Sequence, residues 1–182
     1  MPYELVSVDF VLGEHKHDAH LQRQPFGQMP ALEDEGFRLY ETHAICRYLD
    51  ARAGGRLLPS DARNRALVDQ WMSVESANFS GHVMKFVYHY LMRMEQDAAV
   101  LAHAGAGLDK TLPILEKELS ANRFVAGDAF TLADICFMPY FEYALLTPAA
   151  AQISKHPRTL AWWDRVRDRS SWRKVAARSS EA

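Results

Sequence analysis

Apolar positions follow two rhythms along this chain, and the change falls near residue 60. Before it the apolar runs are short. Residues 3–10, YELVSVDF, form one such run bounded by polar loop, the pattern of a strand buried on both faces. GEHKHDAHLQRQ is polar and reads as loop with one helical turn. MPALED and FRLYE then read as two brief strands joined by a Glu-Gly turn. Phe37 and Leu39 fall on one face, Arg38 and Tyr40 on the other. Residues 42–53 switch to helical spacing, with Ala44, Ile45, Tyr48 and Leu49 on a stripe, and Gly54-Gly55 stops that helix.

After GGRLLPSD no strand signal follows. The stretch 61–94 has no proline and one glycine, Gly81, so it predicts one long helix, about 50 Å at 1.5 Å per residue. Leu101, Ala104, Leu108, Leu112, Leu115 and Leu119 recur at threes and fours and predict a second, with Gly105, Gly107 and Pro113 as points of bending. A third starts at FTLADI: Thr131 fits the N-cap, Asp134 completes a capping box, and Phe130 and Ile135 form a hydrophobic staple. A fourth covers 157–177 with Leu160, Trp163 and Val166 inward. The fold class is thus α/β plus all-α: a small α/β domain over 1–54, a linker over 55–60 and an all-helical domain over 61–182.

Composition narrows the function classes. With 182 residues, 48% of them hydrophobic, the chain can bury a core. A net charge of −2 gives no footprint for nucleic acid, and no apolar run is long enough to span a membrane. Cys46 and Cys136 each lie in an apolar helical pattern and read as reduced packing residues, which predicts a cytoplasmic setting. His15, His17 and His20 cluster, but no cysteine or carboxylate pattern completes a metal set, so no metal is expected. His82 and His89 lie seven apart on one helix face and read as packing or solvent-facing residues. Phe79, Val83, Phe86, Val87 and Tyr90 form a stripe that is either core or the wall of an apolar pocket. Trp162, Trp163 and Trp172 read as structural. Taken alone, Pro30 is a strand-entry proline, Glu41-Thr42 an ordinary cap, and His15-Lys16 part of a solvated loop.

Taken in order, GEHK, PFGQMPALEDEG, LYETHAI, DQWMSVE, FVAGDAFTLADI and HPRTLAWWDRV resemble the glutathione transferases, most of all the phi class or its bacterial relatives. The resemblance covers nearly the whole chain. It implies a thioredoxin-like domain followed by an all-helical one, usually as a homodimer, and a detoxifying transfer of glutathione's thiolate to a hydrophobic electrophile. It implies a cis bond at Pro30, which would turn the Met29 N–H and C=O toward the glutathione backbone. Thr42, at a helix start, would bind the γ-glutamyl carboxylate through amide and hydroxyl. Glu41 would accept from the ligand's amino group, His15 and Lys16 would hold the glycyl carboxylate, and Gln28 would add a hydrogen bond. Phe79, Val83, Phe86, Val87 and Tyr90 would line the co-substrate pocket.

The resemblance also implies a strand and helix, roughly 25 residues, ahead of MPYEL. Measured against the family, the thioredoxin-like domain is N-terminally truncated. The family's catalytic serine, tyrosine or cysteine has no counterpart, and Tyr3 and Ser7 are no substitutes. The strand at 3–10 would then lack its parallel neighbour and present an exposed apolar edge. A glutathione transferase is the leading expectation, and a non-catalytic protein-interaction module of the same fold is the alternative.

Overall fold

A computed structural model describes residues 2–179. The chain divides into two compact units, the first ending at Leu58 and the second starting at Pro59.

In unit 1 the expected strand at 3–10 does not form. These residues make no ladder, and Tyr3, Leu5 and Val6 are all more than 70% exposed. A β-rich run needs a neighbouring edge to satisfy its amides, and the one sheet among the described residues lies elsewhere. A left-handed Gly13 (φ 74°) leads into a 3-10 turn, Glu14–Lys16, followed by the short helix α1, Asp18–Leu21. Strands β1, Ala31–Asp34, and β2, Phe37–Tyr40, pair antiparallel with Ala31 opposite Tyr40 and Asp34 opposite Phe37. Glu35 (φ 51°) and Gly36 (φ 85°) are both left-handed, the backbone that a two-residue hairpin loop requires.

Helix α2, Thr42–Arg52, follows at once. The Tyr48 hydroxyl donates to Asp34 Oδ2 at 2.6 Å, and the Phe37 and Tyr48 rings meet at 5.2 Å, so α2 is tied to the hairpin. The α2 terminus is closed by Gly55 N–H donating to the Asp50 carbonyl at 2.8 Å. The buried Asp50 carboxylate then accepts from the amides of Arg56, Leu57 and Leu58 at 2.9–3.1 Å. One side chain thereby satisfies three amides of a segment that has no regular structure of its own.

Unit 2 is helical. The expected single helix over 61–94 is broken into α3, Ala62–Asn78, α4, Ser80–Phe86, and a π-helical turn, Val87–Leu91. The break is at Phe79 (φ −126°, ψ −67°). The hydroxyl of Thr111 donates to the Asn78 carbonyl at 2.7 Å, satisfying an acceptor that the interrupted ladder leaves open. Phe79, fully buried, turns onto Phe137 and Phe141. Helix α5, Ala98–Ala121, carries Pro113 and stays one helix.

Helix α6, Leu132–Leu145, starts with the expected capping box of Thr131 and Asp134. Asp134 does more than cap. Its carboxylate accepts from Val125 N at 3.0 Å, Thr131 N at 2.9 Å and Trp162 Nε1 at 2.8 Å. Burial pushes its carboxyl pKa up in spite of these donors. After the short α7, Ala150–Ile153, the expected helix over 157–177 appears as two, α8, Pro157–Arg167, and α9, Ser170–Ser179. The stop at Asp168 is held by the Arg173 guanidinium, which donates to the Asp168 carbonyl at 2.6 Å and 3.0 Å. Glu116 of α5 receives the Arg158 and Thr159 amides at the α8 start, at 2.9 Å and 2.8 Å. The core gathers Met72, Phe79, Leu108, Leu112, Leu115, Phe137, Phe141 and Trp162.

Candidate functional site

The hairpin register assembles the site. Since Ala31 faces Tyr40, one step further places Pro30 beside Glu41, across a strand spacing of about 5 Å. Two segments eleven positions apart in sequence therefore meet at one end of the two-stranded sheet. The Met29-Pro30 peptide is cis, and Gln28, Met29 and Pro30 are exposed. Among the described residues no hydrogen bond engages the Met29 backbone.

Opposite it, Glu41 (φ 73°) is the N-cap of α2, and its side chain makes no capping bond. Its carboxylate is exposed. The first-turn amides of Thr42 and Ala44 find no acceptor among the described residues. A helix start in this condition attracts an anion through its N–H groups and its dipole.

The loop ahead of Pro30 is built on residues whose weight the sequence did not reveal. Gln24 is only 2% exposed. Its Oε1 accepts from Phe26 N at 2.7 Å and Gln28 N at 3.2 Å, and its Nε2 reaches Gln28 Oε1 at 3.4 Å. The buried His20 meets the Gln28 carbonyl at 2.7 Å through Nε2. The Lys16 ammonium donates to the carbonyls of Phe26 and Gly27, both at 3.1 Å. Gly27 is left-handed (φ 60°), and a Cβ there would come within 2.8 Å of the His15 carbonyl and of the Lys16 side chain. His15 stacks on Phe10 with ring centroids 4.3 Å apart, and its buried Nδ1 has no hydrogen-bond partner among the described residues. Glu33 of β1, between Arg23 and Arg38 at 2.9 Å and 2.7 Å, has its carboxyl pKa lowered by those hydrogen bonds.

His15, Lys16, Gln28, Met29, Pro30, Glu41 and Thr42 thus belong to one compact unit: the Lys16 and Gln28 ends share the 26–28 loop, and the Pro30 and Glu41 ends share the hairpin. The three histidines at 15, 17 and 20 go separate ways, to Phe10, to an exposed position and to Gln28. No group of three or more His, Cys, Asp or Glu able to hold a metal exists among the described residues.

The apolar stripe in unit 2 is placed differently from a pocket wall. Phe79 and Val83 are fully buried, and Phe86 and Val87 nearly so, all four inside the helical core. Only Tyr90 of the set presents surface, 46% exposed, with its ring on Phe86 at 6.3 Å and on His89 at 4.6 Å. Cys136 is buried, Cys46 half-buried, and neither is in a disulfide among the described residues. No helix among the described residues is long and apolar enough to cross a membrane.

Comparison with known proteins places the chain by family and fold. Residues 1–51 match the family model of the glutathione S-transferase N-terminal domain, and residues 79–170 that of the C-terminal domain. A probable glutathione S-transferase of Oryza sativa subsp. japonica, GSTF1, is 34% identical over 184 residues, spanning 96% of this chain and 84% of its own. The crystal structure of poplar glutathione transferase F1 superposes with a TM-score of 0.92 at 32% identity, covering 100% of this chain and 87% of that one. Glutathione S-transferase I from maize, in complex with an atrazine glutathione conjugate, superposes with a TM-score of 0.86 at 33% identity, covering 96% and 84%.

Proposed function

The chain belongs to the glutathione S-transferase family and is similar to plant phi-class members of it, and from that premise we propose that it binds glutathione in the unit 1 cradle and transfers the thiolate to an apolar electrophile. One observation carries the reading. The register of β1 and β2 sets the Met29 backbone, which has no hydrogen bond among the described residues, beside a helix start whose Thr42 and Ala44 amides likewise find no acceptor there. An extended tripeptide with a carboxylate at each end matches that arrangement.

In this reading the Met29 N–H and C=O pair with the backbone of glutathione. The Thr42 amide and hydroxyl receive the γ-glutamyl carboxylate, and the Glu41 carboxylate accepts from the neighbouring ammonium. Gln28 contributes a side-chain hydrogen bond. The glycyl carboxylate goes to His15 and to Lys16, whose ammonium has one donor left after bonding two carbonyls. A free thiol with a pKa near 8.5 is mostly protonated at neutral pH, so transfer also requires a group that stabilises the thiolate. Tyr3 and Ser7 lie on exposed backbone without regular structure, and neither is assigned that role. Tyr90 is the proposed contact for the electrophile, with Phe79, Val83, Phe86 and Val87 acting behind it as core. The working form is a cytoplasmic homodimer, a reading supported by family habit and by two thiols that suit a reducing compartment.

Retention on immobilised glutathione, paired with calorimetric titration, tests the cradle. Thr42→Ala removes one hydroxyl hydrogen bond to a carboxylate and is expected to weaken binding roughly 10- to 150-fold. The double variant Glu41→Gln, Thr42→Ala is expected to lose retention altogether. Unchanged retention of that double variant would remove the site assignment. Conjugation of 1-chloro-2,4-dinitrobenzene by the retained protein separates a transferase from a binding module.

A further inference from the structure

Two side chains grip Gln28, one on each of its peptide units. Gln24 Oε1 accepts from the Gln28 N–H at 3.2 Å, and the His20 ring meets the Gln28 carbonyl at 2.7 Å through Nε2. A carbonyl only accepts, so His20 Nε2 carries the proton and donates it. Both holders are buried. They are also tied to each other, since the Gln24 amide donates to the His20 carbonyl at 2.9 Å.

The His20 bond reaches the cradle through a single peptide plane. The Gln28 C=O and the Met29 N–H belong to one planar trans unit, in which they point in opposite directions. Fixing the carbonyl on His20 therefore aims the Met29 N–H away from the ring. That N–H has no acceptor among the described residues, and Met29 is exposed. The bond acts on strength as well as direction. A donor on the carbonyl oxygen polarises the amide and makes its N–H the better donor in turn.

We propose that His20 is a positioning residue for the ligand: it does not touch glutathione, but it aims and strengthens the Met29 N–H that pairs with the ligand's backbone. The inference rests on the glutathione reading and names a residue which that reading leaves out. An apolar ring of similar size would fill the same space and leave the Gln28 carbonyl without its donor, so the Gln28–Met29 peptide would lose its fixed orientation.

The test compares His20→Phe, which keeps a ring and loses the donor, with His20→Gln, whose amide nitrogen reaches the place of Nε2. Calorimetric titration of the whole chain with glutathione and with its glycyl ethyl ester is run beside thermal denaturation and nitrogen NMR of the imidazole rings. His20→Phe is expected to weaken both ligands about tenfold and by the same factor, and His20→Gln to stay within about threefold of the parent. The parent's His20 Nε2 is expected to be protonated, a measurement that needs no variant to fold. Unchanged affinity in His20→Phe, equal losses in the two variants, or a bare Nε2 would each overturn the proposal and leave the glutathione reading standing. So would a loss confined to free-acid glutathione. Lys16 bonds the Phe26 and Gly27 carbonyls of the same loop, and that result would mean that only the cationic end had shifted. Failure of the parent chain to bind glutathione would bring down the reading and this inference together.

Discussion

Gln24 shows how much a single side chain can organise. Its carbonyl oxygen closes the 26–28 loop by accepting two amides, and the loop carries Gln28 and Met29 to the hairpin entrance. Gln24→Ala leaves two sheltered N–H groups without an acceptor, a cost of about 2 kcal/mol or more. It is expected to lower the melting temperature and to weaken glutathione binding together. Gln24→Glu keeps the acceptor and is expected to restore most of both. Equal losses in the two variants, read by thermal denaturation and titration, would show that the oxygen is not what matters. Nothing in the chain's periodicity marks Gln24, His20 or Asp50. Each is a polar residue whose partners are backbone amides or carbonyls, and backbone groups leave no trace in a residue pattern. The cis bond at Pro30 was legible because the residue types around it, in that order, resemble a known motif.

At the scale of elements, the hairpin was legible from its turn: Glu35-Gly36 supplies the left-handed pair that a short loop demands. The α6 start was legible for the same kind of reason, since cap and capping box are both local. The break at Phe79 was not, because no proline or glycine announces it and its hydroxyl partner, Thr111, is 33 positions away. The packing of α4 on α5 likewise brings His82 against residues distant in sequence. Burial, His103 and Lys110 together lower the His82 pKa, with Lys85 on its own helix and lining the same cleft between α4 and α5. A histidine with a depressed folded-state pKa binds fewer protons folded than unfolded near pH 6, so its contribution is present above the unfolded pKa of about 6.5 and is lost as pH falls. The melting temperature is expected to drop between pH 7 and pH 5, and His82→Gln is expected to flatten part of that slope. An identical slope in the variant would assign the acid sensitivity to other groups.

For the whole molecule, the division at Leu58 and Pro59 separates the proposed glutathione cradle from the helical core. Every tryptophan, at 71, 162, 163 and 172, lies in the second unit. Intrinsic fluorescence therefore follows the helices, and hydrogen exchange is the better monitor of the cradle. At a hundred times its Kd, glutathione is expected to slow exchange of the amides at 26–29 and 42–45 by up to roughly 100-fold, about 2.7 kcal/mol of linkage. The amides of 132–138 in α6 serve as the internal reference. Absence of protection at 42–45 would place the ligand elsewhere. The two-domain plan was legible from the change of rhythm near residue 60. The run at 3–10 was misread because an apolar sequence specifies a strand only when an edge is available to receive it.

The bond from Trp162 to Asp134 gives the molecule a reporter of its own. The indole N–H donates straight to a carboxylate whose protonation is displaced toward milder acid than usual. Loss of that negative charge alters the field across the ring, so emission wavelength and yield in a Trp71→Phe, Trp163→Phe, Trp172→Phe background are expected to change with one titrating group before the fold gives way. Asp134→Asn is expected to abolish the step, leaving a light signal that is silent until unfolding.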